Sequence, residues 1–76
     1  MNKERRNKID DIIERLEGIS TEIEELADEE LESYENMPES LQGTDRYDTS
    51  VEAEENLRGA SEDISDIVSK LEDAKG

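Results

Sequence analysis

Cysteine, histidine, tryptophan and phenylalanine are all missing from this 76-residue chain. Without Cys there is no disulfide and no thiolate metal site. Without His, the commonest general base and the commonest zinc ligand are gone. Tyr34 and Tyr47 are the only aromatics, and Pro38 is the only proline. Positive charge is scarce as well: nine Lys and Arg stand against 24 Asp and Glu, for a net charge of −15. The opening Met1–Lys8 is basic, but no long apolar run follows, so it reads as neither a signal peptide nor a membrane span. Cytoplasmic location and no membrane association are the expectations. Paired carboxylates are common here, yet they fall on open helix faces with no pocket to shift a pKa. No enzyme activity, cofactor or metal is therefore expected. Asp45-Arg46-Tyr47-Asp48 lacks the alternating ligand spacing of a calcium loop.

What the chain does have is helical periodicity, which separates it from disordered acidic sequences. Ile9, Ile12, Leu16, Ile19, Ile23 and Leu26 step by 3, 4, 3, 4, 3, the a and d positions of a heptad. Ile13 widens that stripe on one side. Asn2 is a candidate N-cap, and Pro38 biases Met37 out of helical geometry, so the first helix is predicted over about 3–36. Leu57, Ala60, Ile64, Ile67 and Leu71 continue the same spacing in the second half, widened by Val68. Thr49-Ser50-Val51-Glu52 fits a capping box, which places the second helix over about 50–74. The connection from Met37 to Asp48 reads as an ordered loop with one helical turn at Pro38–Gln42 and a turn glycine at Gly43. Its length is unusual for a helical hairpin, whether it serves as a functional element or as a spacer.

One domain, 1–76, is the natural division: an all-α, antiparallel two-helix hairpin. Matching the seams sets Ile9 near Leu71, Leu16 near Ile64, Ile23 near Leu57 and Ile19 near Ala60. Gly18, Ser20, Gly59 and Ser61 flank that middle level. Two helix-interior glycines at one height mark either close approach of another helix or tolerated surface positions. A lone hairpin of this composition is marginal. A homodimer forming a four-helix bundle is expected, covering the wide side of each stripe at Ile13 and Val68.

The negative charge is concentrated. From Glu22 to Glu39 there are nine acids and no base. Like charges repeat at helical neighbour spacing in Glu25, Asp28, Glu32 and Glu35, where mixed signs would stabilise the helix by a few tenths of a kcal/mol per pair. Glu22 to Glu35 sets eight acids on about 20 Å of helix. One charge per ~2.5–3 Å is close to a nucleic-acid backbone, at roughly 1.7 Å for both DNA strands and 3.4 Å for one. The candidate contact strip is Glu22, Glu24, Glu25, Asp28, Glu29, Glu32 and Glu35. Glu39, Asp45 and Asp48 extend it at the loop, with Tyr47 as an apolar anchor. The partner this implies is a basic host protein that handles nucleic acid. Direct nucleic-acid binding is disfavoured by the net charge. A solvated acidic bundle with no partner, or a helical module binding through its apolar seam, stands as the alternative.

At Asn36-Met37-Pro38-Glu39-Ser40-Leu41-Gln42 the chain resembles a group of short acidic proteins from phages and prophages of Gram-positive bacteria. They look alike in the opening Met1-Asn2-Lys3-Glu4-Arg5-Arg6, two acidic helices and this linker. The resemblance covers most of the chain and implies a phage source and a two-helix architecture, with no activity attached. In size and charge the chain is also similar to phage DNA-mimic inhibitors of host defence enzymes. That likeness implies an inhibitor acting in the host cytoplasm.

Overall fold

Asn2 opens the first helix, its side chain accepting from the Arg5 amide at 2.8 Å. In the computed structural model, which describes residues 1–76, helix α1 runs Lys3–Glu35. It stops where the sequence implies: Asn36 caps it, and Pro38 cannot continue it. A short 3-10 turn, Glu39–Leu41, follows. Gly43 then takes φ 82°, a left-handed conformation that a side chain would strain.

Helix α2 runs Asp45–Lys75, starting about five residues before the predicted position. The expected capping box at Thr49–Glu52 lies inside the helix instead. Thr44 is the cap: its hydroxyl oxygen accepts from the Tyr47 amide at 3.4 Å. Asp45 and Asp48 fall in the first turn, where the positive pole of the helix favours them. The connection therefore shrinks to Asn36–Thr44.

The helices pack antiparallel, with no strand. Lys75 meets Asp10 at one end, Ser61 meets Ser20 midway, and Glu54 meets Tyr34 near the turn. The seam, however, is rotated from the predicted one. Position a is kept, with Ile9, Leu16, Ile23, Leu57, Ile64 and Leu71 half-buried. Position e replaces d as its companion. Ile13, Ala27 and Ser61 are 6%, 0% and 4% exposed, whereas Ile12, Ile19, Leu26 and Ile67 are 37%, 45%, 52% and 46% exposed. Ala60 is half-buried at the edge. Ile13 and Val68 thus belong to the hairpin's own interior and do not form the face left over for a second subunit.

The reason lies in what sits at e. Ala27, Ser20 and Ser61 are small enough for the two backbones to approach. Tyr34 and Tyr47 stack there at 5.4 Å between ring centres and 40° between planes. The cross-helix hydrogen bonds involve e on one helix or the other, or the adjoining outer positions. The helices turn toward that side, and the d residues are left outside. The result is a rod, about 60 × 15 × 11 Å between Cα extremes, with a radius of gyration of 17.4 Å. A compact chain of this length has about 11 Å. No helix is long and apolar enough to cross a membrane.

Candidate functional site

The back of α1 carries the acids. With a and e turned inward, positions c, f and g point away from α2. Glu22, Glu25, Asp28, Glu29, Glu32 and Glu35 occupy them, and all are exposed. Six of the 24 acids meet a Lys or Arg: Glu4, Asp10, Asp11, Asp28, Glu54 and Glu72. Asp28 is the only one of these between Glu22 and Glu39. The exposed track of Glu22, Glu25, Glu29, Glu32 and Glu35 therefore has no cation from its own chain.

Other members of the predicted strip take different places. Glu24 leans toward the seam, accepting from the Ser61 hydroxyl at 3.1 Å. Ser61 has one hydroxyl proton, so the 2.7 Å Ser20–Ser61 contact has Ser20 as donor. The two serines and Glu24 form a directed chain across the helices. Glu39 opens the 3-10 turn, while Asp45 and Asp48 serve the N-terminus of α2. Tyr47 is half-buried against Tyr34, so it braces the turn and does not project as an anchor.

A polar cluster that the sequence reading missed ties the acidic back to the seam. The Tyr34 hydroxyl donates to Glu54 Oε1 at 2.6 Å. Arg58 donates to the other Glu54 oxygen, and its Nη2 reaches Asp28 Oδ1 at 3.0 Å. The Tyr34 bond and then the Arg58 bond hold the Glu54 carboxyl below its ordinary range. The Glu54 hydrogen bond, helped by partial burial, pushes the Tyr34 phenol up to about 12. Bonds to Glu54 and Asp28 raise the Arg58 pKa. At neutral pH each group keeps the charge state that its partners need, so the cluster is a clamp with no free acid or base. Lys75, raised by Asp10 and then Glu72, fastens the other end. The sequence signal for the clamp was Glu54 and Arg58 at i,i+4, beside a lone Tyr34 at the matching level.

No three carboxylates converge as a metal site would require. The one cavity is a shallow groove of 260 Å³ between Glu17, Ser20, Ile64, Ser65 and Val68. It holds no basic group or nucleophile beyond serine hydroxyls. No family model, curated protein or solved structure matches the chain.

Proposed function

We propose that this chain is a phage-encoded, non-enzymatic acidic protein that occupies the basic nucleic-acid-binding groove of a host protein, in the manner of a DNA mimic. The observation that supports this most is the exposed track from Glu22 to Glu35 on the back of α1, five of whose carboxylates have no internal cation. Such a track is electrostatically costly to its own helix. It gains most in a Lys- and Arg-lined groove built for phosphates. The Arg58 clamp holds Asp28 at the edge of this track, and the rigid helix fixes the spacing of the rest.

The test is capture from host lysate by the immobilised chain, followed by elution in rising salt and, separately, with duplex DNA. A captured protein should release steeply with salt and be displaced by the duplex. The triple variant Glu25→Lys, Asp28→Lys, Glu32→Lys should capture nothing while keeping its helical circular dichroism. Capture that is indifferent to salt, to duplex and to this reversal refutes the proposal. It would favour the second reading, a module that binds through apolar residues, which the exposed Ile12, Ile19, Leu26 and Ile67 support.

A further inference from the structure

The two broad faces of the hairpin are chemically different. At 100° per residue, position d lies about 80° to one side of the a/e seam centre and position b about 80° to the other. The helices run antiparallel, so d of α1 and d of α2 emerge on the same face. That face carries Ile12, Ile19 and Leu26 beside Ala60 and Ile67, with the four large side chains exposed. The opposite face exposes no large apolar side chain: Asp28 reaches Arg58 across it, Glu17 and Ser65 line the groove, and Leu31 and Val51 are half-buried near the turn.

The elongated shape leaves enough surface for an interface of standard size. The chain exposes 5631 Å², whereas a compact monomer of 8.7 kDa exposes about 4,700 Å². The excess, on the order of 900 Å², is close to the roughly 800 Å² that each partner contributes to a standard interface.

The geometry points to a second copy of this chain as the occupant, with each α1 lying antiparallel to the other α1 and Ile19 on the two-fold axis. A two-fold interface requires a self-complementary patch, and the d stripe is one. Ile12 meets Leu26 of the second copy, Ile19 meets its own equivalent, and small Ala60 faces large Ile67. Charge selects this register. The g positions beside the stripe are Lys8 and Arg15 in the first half of α1, then Glu22 and Glu29 in the second. Antiparallel pairing sets Arg15 against Glu22 and Lys8 against Glu29. The other two-fold, with its axis along the rod, lays α1 over α2 of the second copy. It sets Arg15 near Lys70 and Glu22 near Asp63, like against like. The chosen pairing also neutralises the inner edge of the acidic track and leaves Glu25, Glu32 and Glu35 facing outward on both sides of the dimer. The inference does not require any basic partner to exist.

The chain has no cysteine, so single introduced thiols report the register directly. On oxidation, Ile19→Cys should give a disulfide-linked dimer. Ile12→Cys and Leu26→Cys should each stay uncrosslinked alone and crosslink when mixed. Ser65→Cys, on the polar face, should not crosslink. In sedimentation, wild type should run at twice 8.7 kDa, and Ile19→Glu should run as a monomer with helical circular dichroism. Arg15→Glu should weaken the dimer at least tenfold, and adding Glu22→Arg should restore it. A wild-type monomer at 100 µM overturns the proposal, as does crosslinking by Ser65→Cys or by Ile12→Cys alone. None of these readouts involves host protein, so they fail independently of the mimic reading.

Discussion

Replacing Ser20 and Ser61 by alanine distinguishes the two seams open to this sequence. In the observed seam, Ser61 is buried between Ser20 and Glu24. Its removal loses a neutral hydrogen bond of about 1 kcal/mol and a carboxylate bond of about 1 kcal/mol after discounting for the exposed partner. Alanine returns about 0.5 kcal/mol of helix propensity, so Ser61→Ala should cost about 1.5 kcal/mol. Ser20→Ala loses only the shared bond and should cost about 0.5 kcal/mol by the same reckoning. The double variant loses the shared bond once. It should cost about 1 kcal/mol against about 2 for the sum, a coupling of about 1 kcal/mol. The assay is urea unfolding followed at 222 nm at one fixed protein concentration, because self-association shifts the midpoint. With an m of about 1 kcal/mol/M, Ser61→Ala should lower the midpoint by about 1.5 M. In an a/d seam both serines face water, and each alanine should stabilise by about 0.5 kcal/mol, additively. That outcome refutes the seam described above.

Three further predictions concern backbone and pH. A Cβ built at Gly18 or Gly59 meets nothing within 4 Å, so neither glycine is required for close approach inside the hairpin. Gly18→Ala and Gly59→Ala should each stabilise by about 0.5–1 kcal/mol in the same urea assay, and destabilisation by either would reveal an unseen neighbour. In Tyr47→Phe the remaining phenol, Tyr34, should titrate at about 12 by absorbance at 295 nm. Its folded pKa is raised, so its contribution is complete below pH 10 and is lost as pH rises from 10 through about 12. Glu54 has the opposite sign. Its depressed pKa contributes stability above its ordinary value of 4.5 that is lost as pH falls through the folded value. Glu54→Gln should flatten that acid limb. An acid limb unchanged by the substitution, in unfolding midpoints measured against pH, would refute the clamp.

Much of the architecture is legible in the sequence. The periodic a residues, the Asn2 cap, the stop at Pro38 and the turn at Gly43 are local features, and local sterics and hydrogen bonding decide them. The start of α2 was misplaced because Thr44 and Thr49 are both competent caps. The nearby Asp45 and Asp48 favour the earlier one. The acidic track was equally legible, since helix geometry alone sends c, f and g outward once a is inside. The second contacts of Tyr47 and Glu24 were not legible for the opposite reason: Tyr34 and Ser61 meet them only because of how the two helices pack.

By itself, then, the sequence determined two helices, their antiparallel return and a strip of carboxylates on the outer side of the first. It also determined an apolar stripe wide enough to serve two seams, because a, d and e are all available. Only the tertiary structure decided between those seams. Small residues at Ala27, Ser20 and Ser61 let the backbones close. The Tyr34–Tyr47 stack and the Arg58 and Lys75 pairs turn the helices toward e. That rotation buries Ser61, leaves Ile12, Ile19, Leu26 and Ile67 exposed, and gathers those four on one face.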